Sequence, residues 1–415
     1  MWDHKTGTES KSVAGNPFII GHHAEGDHFA DRETEVARIA RTFADPSSRL
    51  LVYGDRRLGK SSAIRTAAAV ARADGHAVAV VDLAAATSGA AASQRLLTAV
   101  HKEIGTRWRD ALARITGSLR GAVTLKPALD ASGNPTFAIS VQPAASPAED
   151  LRFFTDVLDA IEHELTERDL TLGLAIDEFQ RLAALTDTAI DWQLKEVFER
   201  HRRIAYVCAG SEQSIIEQML ENRKVGLWKA SDVLHVGPIP QELLVRWMIE
   251  RAAATGMQFD VVAAAAVCRL THPRTRDVVQ LARATWDLAR ERGVASKAVV
   301  VEAMELLVRE QAPLHQRQWS RLGEAEQRIL LVVARDPATA LLSAETLERF
   351  RLGPKSSVHR AIATLIEHEI LVEDGRGVRA FDDPFFRRWV EVFGLEDLSQ
   401  APPPLLPDDW APPAM

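Results

Sequence analysis

The run Leu50-Leu-Val-Tyr-Gly-Asp-Arg-Arg-Leu-Gly-Lys-Ser-Ser62 constrains this chain more than any other. Gly54, Gly59, Lys60 and Ser61 fit the spacing G-x-x-x-x-G-K-[ST], and that chemistry depends on its setting. The four apolar residues before Gly54 read as a short buried strand. The Ala-rich stretch 62–72 reads as a helix. Between them, Gly54, Asp55, Arg56, Arg57, Leu58, Gly59, Lys60, Ser61 and Ser62 can wrap so that backbone N–H groups point inward at phosphate oxygens. Lys60 is placed to reach the β- and γ-phosphates, and the Ser61 hydroxyl to ligate Mg²⁺. The following helix aims its positive end at the same anion. A nucleoside triphosphate is the expected ligand.

At 415 residues the chain exceeds one ordinary core, so two or three domains are expected. A composition of 46% hydrophobic and 26% charged residues argues for a folded chain, not a disordered one. No apolar run is long enough to span a membrane, and the first ten residues lack a signal-peptide core. Cys208 and Cys268 are far apart in apolar runs, which suggests reduced core thiols, a cytoplasmic setting and no zinc site. A formal charge of −7 argues against a general nucleic-acid-coating surface but leaves room for a local basic patch. His22, His23 and His28 lack metal-ligand spacing.

Continuous apolar strands alternate with helices through the first half, the pattern of a parallel sheet covered on both faces. Residues 1–15 read as a flexible arm and 16–240 as an α/β core. Within that core, 117–148 reads as a hairpin insertion around the turn Asp130-Ala-Ser-Gly-Asn-Pro135. Residues 241–312 read as a helical lid, 320–392 as a third unit and 399–415 as a Pro-rich tail.

A second apolar strand ends in Asp177-Glu178, at the carboxyl edge where open α/β sheets place ligands. Asp177 is expected to hold Mg²⁺ and Glu178 to activate the attacking water. Lys60 and Asp177 are 117 residues apart, long for a nucleotide core, and the hairpin accounts for the excess. Ser211, in Ala209-Gly-Ser211, closes a third strand and is the candidate to sense the γ-phosphate.

The loop, Ile176-Asp-Glu-Phe-Gln180 and Ala209-Gly-Ser211 together resemble the AAA+-like ATPases of the archaeal-type ATPase family, within the STAND group of signalling NTPases. The resemblance implies a P-loop NTPase fold over roughly residues 16–390, with helical lid and C-terminal winged helix-turn-helix domain. It makes Asn16, Pro17 and Phe18, with Phe29-Ala-Asp-Arg-Glu33, look like motifs that pack on adenine, although Asp31 stands where the family has Gly. Thr271-His-Pro-Arg274 is similar to the family's G-x-P lid motif, which gives Arg274 a sensor-2-like position contacting the γ-phosphate. The family often carries an arginine finger before the last core strand. Lys229 stands there in this chain, a point charge in place of a planar fork, and Arg223 lies six residues earlier.

In the third unit, helical segments at 323–334, 343–350 and 354–368 precede a hairpin turning at Asp374-Gly375, the winged-helix arrangement. Its third helix would present Lys355, Ser356, His359 and Arg360 to double-stranded DNA, with Arg376 and Arg379 on the wing. A protein partner is the other reading of this unit. The sequence reading is thus an Mg-dependent ATP hydrolase acting as a switch. Its rivals are a nucleotide-locked regulator or scaffold with negligible turnover, and a DNA-loading or transposition-regulator ATPase.

Overall fold

The computed structural model describes residues 15–20, 30, 32–104, 114, 119, 123–129, 135–143, 146–184, 190–211, 231–272, 274–373, 379–394, 404–407 and 409–412. Contacts divide the chain into two units: one is His23–Pro238, the other Met1–His22 with Ile239–Met415.

The first unit is built on β1 (Arg49–Gly54), β2 (Val78–Asp82), β5 (Leu172–Asp177), β6 (Ile204–Ser211) and β7 (Asp232–His235). All pairings among them are parallel, in the order β2-β5-β6-β1-β7. Helices cover both faces, so the strands are apolar throughout, and all six residues of β5 are buried. On one face lie α1 (Glu33–Ala44) and α2 (Lys60–Ala73). Helix α2 turns Ala63, Ala67, Ala68 and Ala71 inward, small residues that let it approach the sheet closely. Gly173 in β5 serves the same packing, because a Cβ there would meet the Phe43 ring at 2.8 Å. The other face carries α3 (Gly89–Ile104) and α4 (Pro147–Glu167), with Leu96, Leu97, Phe154 and Leu158 at its centre, and α5 (Gln180–Ala184) and α6 (Ile190–Arg200) follow β5. The expected insertion is an antiparallel pair, β3 (Val123–Leu129) and β4 (Pro135–Val141), in a separate sheet joined through Ile139 and Val141 to that core.

In the second unit, α7 (Gln241–Ala253), α8 (Val261–Thr271) and α9 (Thr275–Ala289) form the helical lid. The lid is not purely helical: β8 (Gln258–Phe259) pairs in parallel with β9 (Val294–Ala295). Helix α10 (Lys297–Ser320) runs unbroken through Pro313, so residues 313–319, between the expected lid and third unit, are helix. Next come α11 (Glu324–Arg335), α12 (Ala344–Arg349), α13 (Lys355–Glu367) and the hairpin β10 (Leu371–Glu373) and β11 (Arg379–Phe381), then α14 (Pro384–Trp389). Ser343 caps α12 and Asp383 caps α14, each accepting backbone N–H bonds. Helices α11 and α13 pack together, and Ile329, Leu330, Val358 and Leu365 on them are buried.

One boundary differs from the sequence reading. Residues 16–20 belong with the lid, not with the core to 240. Phe18 is fully buried, edge-on to Trp247 and Phe259. Asn16 Nδ2 donates to the Arg283 carbonyl and to Asp287, and Arg283 donates to the Phe18 carbonyl. Sequence position suggested the neighbouring core, but the apolar partners of Phe18 lie in the lid.

Candidate functional site

The carboxyl ends of β1, β5 and β6 bring the first unit's expected residues together. Strand β1 ends at Gly54 with φ 151°, and a Cβ there would lie 2.2 Å from the Val236 carbonyl oxygen, so only glycine fits. The loop closes at Gly59 (φ 93°), where α2 begins without a side-chain cap. The first N–H groups of α2 are therefore left for an anion. Asp55 and Arg56 sit on the exposed rim of the loop, Leu58 is buried beneath it, and Ser62 is half-buried in the first turn of α2.

Lys60 is 7% exposed, and its Nζ donates to the Gly54 and Asp55 carbonyls at 2.7 Å each. Burial lowers its pKa, while the charges of Glu178, Asp177 and Asp55 oppose that shift. Asp177 ends β5, 4% exposed, and its Oδ1 accepts from the Glu178 N–H at 3.1 Å. Burial raises its pKa, opposed by the nearby Ser61 hydroxyl and helped by the neighbouring charges of Glu178 and Asp82. Glu178 itself takes the left-handed conformation, φ 55°. Ser211 pairs in register with Gly54 across β1 and β6, one strand from Asp177.

Two contributors belong to motifs quoted from the sequence but were assigned no role of their own there. Arg32, 4% exposed, donates to the Leu58 and Gly237 carbonyls at 2.7 Å each and pairs with Glu35 at 3.0 Å. It ties the phosphate loop to the segment after β7. Its only sequence signal was membership in Phe29-Ala-Asp-Arg-Glu33. Gln180 donates from Nε2 to Glu178 Oε2.

The residues expected from the lid and winged helix lie in the second unit. Arg274 sits at the N-terminus of α9, where its guanidinium donates to both the carboxylate and the carbonyl of Asp382. Asn16, Pro17 and Phe18 lie in the lid, where the Phe18 ring is enclosed by Trp247 and Phe259. On α13, Lys355, Ser356, His359 and Arg360 are exposed opposite the buried Val358, Ala361, Ile362 and Leu365. Arg379 on the wing pairs with Glu373 at 3.0 Å. Lys229, Arg223, Asp31, Phe29, Pro273, Asp374, Gly375, Arg376 and the histidines 22, 23 and 28 lie outside the described residues. Among the described residues, no group of three or more His, Cys, Asp or Glu could hold a metal ion, and no helix is long and apolar enough to cross a membrane. Burial pushes the Cys208 and Cys268 thiols up to about 12, which leaves them unreactive at neutral pH.

The sheet order, the glycine-hinged loop before α2 and the acid-ended β5 define an AAA+-like P-loop ATPase fold, here followed by a winged helix. Residues 313–392 match the model of a family described as "Probable winged helix domain". No curated protein sequence matches the chain. Among solved structures, the chain is similar to the Walker-type ATPase of Pyrococcus abyssi (16% identity, TM-score 0.54, covering 89% of this chain and 98% of that one). It is similar also to the Aeropyrum pernix ORC2 protein, solved as ADPNP-ADP complexes (16% identity, TM-score 0.56, 93% and 98% covered). The Aeropyrum pernix ORC1 protein in complex with DNA is a third (16% identity, TM-score 0.50, 90% and 96% covered). At this identity the likenesses establish the fold, and the site itself must carry the chemistry.

Proposed function

We propose that this chain is an Mg-dependent ATP hydrolase of the archaeal-type, STAND-like kind, a switch coupled to its winged helix. One observation carries the reading: a buried Lys60 ammonium and an uncapped helix start converge on one loop, with Ser61 in that helix start and Asp177 at the end of β5. The loop carbonyls that hold Lys60 are neutral, so a phosphate can replace them without stranding another charge. Ser61 and Asp177 offer only hard oxygen donors, which suits Mg²⁺. An ion bound there would neutralise charge on the β- and γ-phosphates during transfer.

The remaining steps belong to the chain. Lys60 and the first N–H groups of α2 bind and orient the phosphates. Glu178 takes a proton from water as its oxygen attacks the γ-phosphorus and the bond to the β–γ bridging oxygen breaks. Ser211 and Arg274 are the residues we assign to reporting the γ-phosphate, and Asn16–Phe18 to supporting adenine recognition from the lid. The exposed Lys355, His359 and Arg360 support duplex DNA as the partner of α13.

The alternative of a nucleotide-locked regulator with slow turnover draws support from the Gln180 hydrogen bond on Glu178 and from the pairing of Arg274 with Asp382. Steady-state ATP turnover with duplex DNA titrated at two salt concentrations tests the proposal. Magnesium-dependent turnover that Lys60→Ala abolishes, and that responds to DNA more strongly at low salt, is expected. Co-purified nucleotide with negligible turnover under every condition would favour the locked regulator.

A further inference from the structure

Strand β2 ends the five-stranded sheet, paired only with β5 among the described residues. The ladder fixes which of its backbone groups face outward. Gly173 N–H donates to the Ala77 carbonyl and Leu83 N–H to the Asp177 carbonyl. Alternate residues therefore face β5, and Val78, Val80 and Asp82 face the open edge. At Val78 that edge is closed: its N–H donates to Glu103 at 3.0 Å, its carbonyl accepts from Arg72, and those two side chains pair at 2.9 Å. At Asp82 the carbonyl accepts from Arg95 at 3.2 Å. Between these points, the Val80 N–H and carbonyl and the Asp82 N–H have no partner among the described residues. Beside them lies a cavity of about 560 Å³, lined from α3 by Gln94, Arg95, Thr98 and Lys102. These four side chains are exposed, and the Lys102 ammonium has no partner among the described residues. Proteins blunt sheet edges against other chains, and here the blunting stops at Val78.

We propose that the open edge at Val80–Asp82 and the cations of α3 form a docking site for a short, extended acidic segment of a partner protein. The segment adds antiparallel to β2, the direction in which one residue exchanges both backbone bonds with Val80. The carbonyl two residues before it accepts from the Asp82 N–H, and the Arg72–Glu103 pair stops the ladder at Val78, which fixes the register. Val81 packs toward the α3 face of the sheet and Val80 toward the α2 face. Side chains of the added segment alternate likewise, so the two residues flanking the partner of Val80 turn toward α3. Carboxylates at those two positions meet Arg95 and Lys102. The lining holds one carboxylate of its own, Asp82, which already accepts from the Ala84 N–H. Nucleic acid suits the edge less well, because phosphates offer no donor to the Val80 carbonyl and Asp82 repels them. A second copy's β2 would bring the same closed Val78 to the edge, and apolar Ala79 and Val81 where the cations require carboxylates.

The test is fluorescence anisotropy of the full-length chain with a fluorescein-labelled Thr-Glu-Val-Glu-Thr peptide. Its comparison probes are the Thr-Lys-Val-Lys-Thr analogue, the acidic peptide N-methylated on its valine, and a short oligothymidylate. The acidic peptide should saturate the protein below about 1 mM. The lysine and N-methyl analogues should bind at least about fivefold more weakly, through lost ion pairs and a lost donor to the Val80 carbonyl. Arg95→Glu combined with Lys102→Glu should weaken the acidic peptide about tenfold and strengthen the lysine analogue. Val80→Pro removes the outward N–H while leaving the bonds to β5, and should weaken the acidic peptide about fivefold. Should Val80→Pro melt early, the N-methyl peptide asks the same question of the unaltered protein. No saturation by about 1 mM, or lysine or N-methyl analogues that bind as well as the acidic peptide, overturns the site. Oligothymidylate that binds more tightly than the peptide, and is lost in the double variant, gives the edge to nucleic acid instead. A dimer in solution that Val80→Pro abolishes gives it to a second copy. Either result also overturns the proposal.

Discussion

Two cations assigned to the same triphosphate are held in opposite ways. Lys60, in the sheet unit, rests on two neutral carbonyls of its own loop. Arg274, in the lid, is tied to the carboxylate of Asp382. Replacing loop carbonyls by a phosphate improves the partner of Lys60. Drawing Arg274 away from Asp382 leaves two largely buried charges to be satisfied anew. On that assignment Lys60 rests within its own loop, whereas Arg274 is held by an ion pair that a ligand would have to outcompete. The contrast explains why the first region announces its chemistry and the second does not.

The largest effect that tests this contrast is at Lys60. Lys60→Ala should weaken ATP binding by at least about 30-fold in calorimetry, since charge-assisted hydrogen bonds are worth ~2 kcal/mol each. Retained affinity would remove the loop from the binding account. Next is the ion pair, both partners 13% exposed. Asp382→Asn should destabilise its unit by about 1–3 kcal/mol in denaturant melts, because it leaves Arg274 short of its counter-charge. Adding Arg274→Ala should cost little more, and additive losses would show that the two side chains are not coupled.

A smaller effect, of opposite sign, is expected at Asp177. Its pKa is raised by burial, so the folded state holds that proton more tightly than the unfolded chain. Stability contributed there falls as pH rises through and above the ordinary carboxylate range. Without nucleotide, Asp177→Asn should melt above wild type at pH 7 and lose the melting shift that Mg-ATP gives wild type. The least effect concerns His315, buried against Phe386 and Trp389 with its Nε2 unpartnered. Burial lowers its pKa, and the Asp383 charge opposes this only in part. The unfolded chain thus binds that proton more readily, and stability should be lost as pH falls below about 6.5. His315→Phe should flatten that part of the stability–pH curve.

Much of the fold was legible because its signals are local. The apolar runs that became β1, β2, β5 and β6, and the glycines of the phosphate loop, carry their meaning within a few residues. What escaped depends on distant partners. Strand β7 (Asp232–His235) is a four-residue edge with a single buried side chain, too short for a clear pattern. Strands β8 and β9 have two residues each. Residues 16–20 find their pocket more than 200 positions away in the lid. The site divides in the same way. Lys60, Ser61, Asp177 and Glu178 follow from motif spacing, but Arg32 acquires its role through carbonyls 26 and 205 residues distant. Gln180 lies beside Glu178 in sequence, yet its contact exists only because Glu178 turns left-handed.

The central claim is that Glu178 removes the proton from water attacking ATP held by Lys60, Ser61 and Asp177. The most direct measurement incubates wild type and Glu178→Gln with Mg-ATP, removes free nucleotide and identifies what stays bound. Wild type should retain ADP, or mixed nucleotide with released phosphate. Glu178→Gln should retain intact ATP with wild-type-like stoichiometry. Bound ADP appearing at the same rate in both proteins would contradict the account.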